Sequence, residues 1–512
     1  MSAAAAEKTK AEELDERDRL WSVSTIGEVA EVNPSKAKIK LDDDDTVSFV
    51  PMAAVEPLSN TIDLSETRKF ASVKKNFTRF LEDDVLFAKI TPCMENGKVA
   101  VAKGLHQGRG CGTTEFHILR PTEAIISKYL FYFVVSDKFR NLAKRNMSGA
   151  VGQQRVPADF VRNSEIPIPP LAEQKRIVSK IDELFSDIEA GERALQRARK
   201  ALERYRRSVL KAAVTGALTA DWREKNRDRL EPADKLLTRI LDARRTAWEK
   251  AELAKMKAKG KEPKGDAWKK KYGEAKPPKY EFNSTLPISW LWLSFSTIGN
   301  VSGGLTKNKK RNELPHTRPY LRVANVYENR LDLTEIHSIG VTERELERVE
   351  LQRFDLLIVE GNGSKEQIGR AALWDASIKG CVHQNHLIKV RFSDSITSRY
   401  SMVWLRSPFG RTLVEEVASS TSGLHTLSIS KIEQLPLAFP PQKEQEEILS
   451  RVEEAFSKAD RVAAALDEQE RAAKALRQSI LKAAFEGRLV PQDPDDEPAE
   501  KLLKRIRQEK KG

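Results

Sequence analysis

The chain has 512 residues, with 88 Lys and Arg against 75 Asp and Glu, which gives a net charge of +13. Hydrophobic residues make up 40%, enough for several cores, so wholesale disorder is excluded and the length suggests about three or four domains. No run approaches the roughly 20 apolar residues of a membrane span, the N-terminal stretch lacks a secretory signal's apolar core, and Cys93, Cys111 and Cys381 cannot build a disulfide framework. A cytoplasmic protein with no membrane partner is expected.

In chain order, a charged extension (1–19) precedes a first globular region, 20–165. Its apolar runs at 46–52, 84–90, 98–104 and 114–120 are short and broken by turns, and a helical stretch follows at 124–144. This pattern predicts an α+β module with a mostly antiparallel or mixed sheet. Residues 166–220 hold a long helix. Pro169-Pro170 sets its start, because proline suits a first turn where its missing N–H has no partner anyway. Ile177, Ile181, Leu184, Ile188, Gly191, Leu195, Ala198, Leu202, Tyr205, Val209 and Ala212 then recur at alternating steps of three and four, a coiled-coil register. Gly216 is a natural stop. Residues 221–285 predict a charged helix leading into a basic, Gly- and Pro-containing stretch that reads as a mobile linker, its cations solvated or touching phosphates. A second globular region, 286–434, has runs at 318–326, 354–362 and 385–392 and a helical stretch at 396–408. A second long helix, 435–490, starts at Pro440-Pro441, carries Ile448, Val452, Ala455, Ala459, Val462, Leu466, Gln469, Ala473, Leu476, Ile480 and Ala483 in the same register, and stops at Gly487. A charged segment, 491–512, completes the chain.

The chain is an internal duplication. Pro169-Pro170, Glu173-Gln174, Ile177 and Phe185 recur as Pro440-Pro441, Glu444-Gln445, Ile448 and Phe456, all at one constant offset. SVLKAAVTGAL (208–218) recurs as SILKAAFEGRL (479–489), and Asp84-Val85-Leu86 as Asp355-Leu356-Leu357, at the same offset. Trp21 and Ser24-Thr25-Ile26-Gly27 are echoed by Trp292 and Ser296-Thr297-Ile298-Gly299, and EPADKLL (231–237) by EPAEKLL (497–503). Periods of about 20–50 residues would indicate a solenoid; one long repeat indicates pseudo-two-fold symmetry. The helices repeat closely and the module interiors do not, which predicts two heads of different specificity on a shared antiparallel helix pair. Ile177, Ile181, Leu184, Ile188, Leu195 and Leu202 are expected to pack against Ile448, Val452, Val462, Leu466, Leu476 and Ile480.

If the heads read nucleic acid, bidentate side chains reach base edges and Lys or Arg hold phosphates. Loop candidates in the first head are Lys74, Lys75, Lys89, Asn96, Lys98, Gln153, Gln154 and Arg155. In the second they are Lys307, Lys309, Lys310, Arg311, Asn362, Ser364, Lys365, Gln384, Asn385, His425 and Thr426. Each is otherwise an ordinary solvated loop residue. Cys381, His383 and His386 lack the spacing of common zinc motifs, and structural hydrogen bonding or a DNA contact is the expectation for this segment. GNGSKEQIG is not a phosphate-binding P-loop, no GxGxxG occurs, and KPPKY (276–280) lacks the acidic or amide residue of an amino-methyltransferase motif. No catalytic, cofactor or metal residue is therefore assigned.

The arrangement resembles the specificity subunit of type I restriction-modification enzymes. The resemblance spans about residues 20–490 and rests on Trp21 and Trp292 before their Ser-Thr-Ile-Gly segments, on Asp84-Val-Leu-Phe-Ala-Lys-Ile90, on Gln384-Asn-His-Leu-Ile388, and on the doubled Pro-Pro…Glu-Gln…Ile turn. It implies an α+β fold class with two target-recognition-like globular domains, 20–165 and 286–434, joined by two long antiparallel coiled-coil helices. It implies that each domain reads one half of a bipartite, asymmetric double-stranded DNA site. It implies that the helices set the gap and dock two methyltransferase subunits, with restriction/translocase subunits in the full complex. S-adenosylmethionine, ATP and Mg would then belong to the partners. The stretch from Ile177 to Ala212 would make a rod of about 50 Å, or roughly 15 base pairs. A coiled-coil tether with two protein-binding heads is the alternative.

Overall fold

A computed structural model of the chain describes residues 20–35, 39–150, 152–263, 265–279, 285–362, 367–421 and 424–509. They group into two compact units, one running to Arg197 and resuming at Leu466, the other Ala198–Ala465. Each long helix, Leu171–Thr215 and Gln442–Phe485, gives its first half to one unit and its second half to the other.

In the first unit, β1 (Ser22–Thr25) pairs with β10 (Glu165–Ile168) and so ties the start of the head to the strand that runs into the helix. Between them lie two sheets. β2 (Ala30–Val32), β6 (Val85–Ala88), β7 (Val99–Val101) and β9 (Phe116–Pro121) form one, in the order β2-β9-β6-β7. β3 (Thr46–Val50), β4 (Thr67–Lys69), β5 (Thr78–Leu81) and β8 (Arg109–Gly112) form the other, in the order β4-β3-β8-β5. All pairings are antiparallel except β3 with β8. β6 is buried on both faces, which is why it reads as an unbroken apolar run. Val85 and Phe87 face a core shared with the Ser127–Val135 helix and Ile177 and Ile181 of the long helix, whereas Leu86 and Ala88 face a smaller core with Phe80 and Phe116.

The second unit repeats the plan. β11 (Leu291–Ser294) pairs with β24 (Pro436–Phe439). The strands between are β12 (Gly299–Ser302), β13 (His316–Leu321), β14 (Val326–Tyr327), β15 (Arg330–Leu331), β16 (His337–Val341), β17 (Leu356–Val359), β18 (Gly361–Asn362), β19 (Ala371–Leu373), β20 (Val382–His383), β21 (Leu387–Phe392), β22 (Ser419–Thr421) and β23 (Leu424–Thr426). β12-β21-β17-β19 matches β2-β9-β6-β7, and β13 with β20 is again the parallel pair. β17 alternates as β6 does, with Leu356 and Ile358 in one core and Leu357 and Val359 in another.

Buried polar groups repeat with the strands. Arg120 grips Asp84 with two bonds of 2.8 and 2.7 Å while Leu81 N–H donates to the same carboxylate at 2.8 Å. Arg391, Asp355 and Gln352 stand at the repeat offset from these residues and make the same three bonds at 2.7, 2.6 and 2.7 Å. Tyr129 donates to the Pro167 carbonyl, and Tyr400 to that of Ala438. At the start of each long helix an indole N–H meets a buried carboxylate: Trp21 to Glu173 and Trp290 to Glu444, both at 2.9 Å.

This last contact corrects the expected pairing of Trp21 with Trp292. The strand registers Ser22↔Ile168 and Leu291↔Phe439 align Ser22 with Leu291, a slightly smaller offset than that of the helices. Trp21 therefore corresponds to Trp290, and the two Ser-Thr-Ile-Gly runs are out of step. The indole must reach a fixed buried carboxylate, and that requirement sets the register.

Within each unit the long helices run antiparallel. In the first, Arg477 bonds Glu192 at 3.0 Å and lies over the Phe185 ring. In the second, Arg206 bonds Asp460 at 2.5 Å and lies over Phe456. Of the expected packing residues, Ile177, Ile181, Ile188, Ile448, Val452, Leu466 and Ile480 are buried. Leu184, Leu195 and Leu202 are half-buried, and Val462 and Leu476 remain 48% and 50% exposed. A contact between two helices covers only a narrow face, and full burial comes where a head packs on the helix too. Gly216 and Gly487 end the helices with φ of +77° and +68°, a conformation that costs glycine least.

The charged helix expected in 221–285 is present, whereas the basic stretch beyond it, expected to be a mobile linker, is mostly exposed but pinned by aromatic contacts. Ala233–Ala258 is a helix whose Leu236 is fully buried. A short turn, Ala267–Lys271, folds back on it: Trp268 stacks on Trp248 with ring centroids 5.9 Å apart, and Tyr272 meets Trp248 at 5.4 Å. Both tryptophans stand in the sequence, but the surrounding lysines dominate its local pattern.

Candidate nucleic-acid interface

In the first head, three chain segments meet at the open end of β6. Lys89, just past the strand, takes its place through backbone bonds: its N–H donates to Glu115 and its carbonyl accepts from Val156, both at 2.9 Å. Glu115 sits in the turn between β8 and β9. The third segment is the loop 148–155, closed by paired bonds between Ser148 and Arg155. Arg155 grips Glu115 with bonds of 2.9 and 2.7 Å and touches the Gln153 carbonyl. His117 braces the base, with one ring nitrogen on the Val156 carbonyl at 2.8 Å and the other beside Asn33.

The electrostatics follow from this crowding. Partial burial lowers the Lys89 pKa, Glu115 opposes that shift, and Arg155 adds to it. The hydrogen bond from Arg155 holds Glu115 below the ordinary carboxylate range. Burial lowers the pKa of His117. The site presents a cationic rim over one committed carboxylate, with exposed Gln153 and half-buried Gln154 beside it.

The second head has the same scaffold and different chemistry. At the repeat offset, Glu360 takes the place of Lys89, His386 that of Glu115 and Thr426 that of Arg155. Glu360 N–H donates to the His386 carbonyl at 2.9 Å, and the Glu360 carbonyl accepts from Leu427 at 2.7 Å, repeating the backbone bonds of Lys89. The side-chain pair is Glu360 with His386 at 2.9 Å, where the first head has Lys89, Glu115 and Arg155. β18 pairs with β23 at Gly361↔Thr426 and Asn362↔His425, bringing the two loops together. Asn385 lies beside His386, and Gln384 accepts from the Val323 N–H.

The remaining candidates sort by what holds them. Lys75 and Asn96 are exposed, and Lys74 is exposed with Asp43 at 2.7 Å. Lys98 is turned inward onto the Met52 carbonyl at 2.8 Å, so it fastens the loop. Lys307, Lys309 and Lys310 are exposed, whereas Arg311 is committed to Glu345 and to the Thr306 and Gly340 carbonyls. Ser364 and Lys365 lie outside the described residues. Cys381 and His383 are buried, with His383 bonded to the Leu387 carbonyl, while His386 is exposed. Sequence reasoning missed Glu115, Glu360 and the brace His117. The signal was available, since the repeat offset carries Lys89 to Glu360 and Arg155 to Thr426.

Comparison with known proteins agrees with this geometry. Residues 19–196 match the family described as type I restriction modification DNA specificity domain. The chain is 28% identical over 481 residues to the type I restriction enzyme EcoAI specificity subunit of Escherichia coli, covering 85% of this chain and 77% of that one. It is 28% identical over 489 residues to the EcoKI specificity subunit of Escherichia coli strain K12, covering 90% and 89%. A solved structure described as the basis of complex assembly and conformational transition of the type I R-M system shares the fold, with a TM-score of 0.63, 18% identity and coverage of 92% and 98%. With a repeated head-and-helix plan, a DNA specificity domain over residues 19–196 and this match along most of its length, the chain is similar to the specificity subunits of type I restriction-modification enzymes.

Proposed function

We propose that the chain is the non-catalytic DNA-recognition subunit of a type I restriction-modification complex, reading a bipartite, asymmetric site with one half per head. The observation that carries this reading is the loop cluster at the end of β6 and β17. The backbone scaffold is the same in both heads, while Lys89, Glu115 and Arg155 give way to Glu360, His386 and Thr426. Lys and Arg suit the acceptor edge of guanine, Asn and Gln suit adenine, and a carboxylate accepts from cytosine. Equal frames with unequal loops therefore favour an asymmetric target.

Partners supply the chemistry. Two methyltransferase subunits would dock on the long helices, where Tyr205, Val462 and Leu476 expose apolar surface. Restriction/translocase subunits would join them, with S-adenosylmethionine, ATP and Mg bound by the partners. With double-stranded DNA as its ligand, the assembly would be cytoplasmic. Among the described residues no helix is long and apolar enough to cross a membrane.

Methylome sequencing with and without the gene tests the function. Loss of methylation at one bipartite adenine motif is the expected result. An unchanged methylome in a strain that expresses the methyltransferase partner would contradict it. Inserting whole heptads into one long helix should alter the gap or break helix pairing and leave both half-site sequences intact.

A further inference from the structure

The net charge of the chain is concentrated in one place. Residues 244–279 hold thirteen Lys and Arg against five Asp and Glu, so this stretch alone carries +8 of the total +13. It begins where the internal repeat ends. The echo of 231–237 in 497–503 is structural: Leu236 and Leu502 are buried, and the ion pair Arg239 with Glu231 returns as Arg505 with Glu497. Beyond that shared part, the first copy's helix continues to Ala258, and the excess of lysine starts there.

The basic stretch is held on the second unit as a fixed part of its surface. Arg244 donates to the Ser296 carbonyl of the head at 3.2 Å and to the Tyr272 hydroxyl and the Gly273 carbonyl at 2.5 and 2.8 Å. The stack of Trp248 on Trp268 clips the turn Ala267–Lys271 onto the helix, and Lys269 lies over the Trp268 ring. Lys257, Lys259, Lys261, Lys270 and Lys271 are exposed at the end of the helix and on the clipped turn. A set of ammonium groups held on a packed frame loses less conformational freedom on meeting an anionic surface than the same lysines on a free linker.

We propose that this segment is a second, sequence-independent DNA contact: a phosphate-backbone clamp built on the second unit and separate from the base-reading loops. The proposal rests on the DNA-recognition reading above. Its partner is duplex DNA because the segment is fastened to the recognition head at Ser296 and its charge matches a polyphosphate surface. The lysines would set the grip, and the loops at Lys89 and Glu360 would set the sequence. The two heads themselves carry little net charge, so the largest excess of cations lies here.

The test uses the full chain with its five lysines changed to Gln (K257Q, K259Q, K261Q, K270Q, K271Q), beside a variant with Arg at the same positions. Binding to a random-sequence duplex of about 40 base pairs is titrated from about 50 to 200 mM KCl, and a randomised duplex library is selected in parallel. Each phosphate contact contributes about 0.9 to the slope of log K against log salt, so loss of five should lower the slope by about 4.5. The Gln variant should bind the random duplex at least about tenfold more weakly at low salt, the Arg variant should keep the parental slope, and both should select the parental motif. A variant with only K257Q, K259Q and K261Q should give an intermediate slope. An unchanged slope and affinity in the Gln variants would overturn the proposal, as would a changed motif or a loss confined to partner assembly. If the parent itself selects no motif, the recognition reading fails. If it selects one and the slope does not move, only the clamp fails.

Discussion

The two units place the same carboxylate at the head of a long helix and balance it differently. Glu444 accepts from Trp290 at 2.9 Å, from Thr219 at 2.8 Å and from Arg223 at 2.8 Å. Glu173 accepts from Trp21, and its other oxygen is buried without a hydrogen-bond partner among the described residues. The repeat offset carries Arg223 to Pro494, which cannot supply a guanidinium. Burial therefore pushes the Glu173 pKa up to about 7. Duplication kept the geometry of the joint and lost one charge from it, so the two units should respond differently to the same perturbation.

The strongest way to separate them is to break a buried ion pair in one head. Asp84→Ala leaves Arg120 without its carboxylate and three N–H donors unmet, and should cost about 3–5 kcal/mol. Hydrogen exchange should show the first head opening while the second stays protected, and Asp355→Ala should do the reverse. A loss spread equally over both heads would contradict their independence.

The next effect is the pH dependence that Glu173 gives the first unit. Below about 4.5 the Glu173 carboxyl holds its proton whether the chain is folded or not. Between that value and about 7 only the folded chain holds it, so stability falls as pH rises through this window and remains low above it. Glu173→Gln keeps an acceptor for Trp21 and removes the titration. It should stabilise the first unit at pH 8 by on the order of 2 kcal/mol and change little at pH 4.5. Thermal unfolding at the two pH values reads the difference, and an equal shift at both would rule out the linkage.

Arg155→Ala should follow, weakening specific DNA binding by about 1–3 kcal/mol and relaxing the preference at one half-site only. Selection from a randomised library would show it. The smallest effect is expected for Arg477→Ala. Its pair with Glu192 is partly solvated, so removing it should cost about 1 kcal/mol or less in thermal stability.

Much of this architecture is legible in the sequence because the duplication imposes one offset on distant residues. The helix starts at Pro169-Pro170 and Pro440-Pro441, the stops at Gly216 and Gly487 and the strands at Asp84 and Asp355 all follow from it. Three features do not. The register of Trp21 escapes it, since a matching Ser-Thr-Ile-Gly run is a weaker constraint than a buried carboxylate waiting for an indole. The packed state of Trp268 and Tyr272 depends on a ring of the preceding helix, beyond the reach of local periodicity. The recognition loops can be named residue by residue, but their convergence at Lys89 and Glu360 depends on strand pairing, and a commitment such as that of Arg311 to Glu345 is visible only in three dimensions.

The central claim is that each head reads its own half of the target. Exchanging residues 20–165 for the corresponding domain of another specificity subunit, followed by methylome sequencing, tests it most directly. The account predicts a new bipartite motif in which one half changes and the other half is preserved. A motif in which both halves change would contradict it.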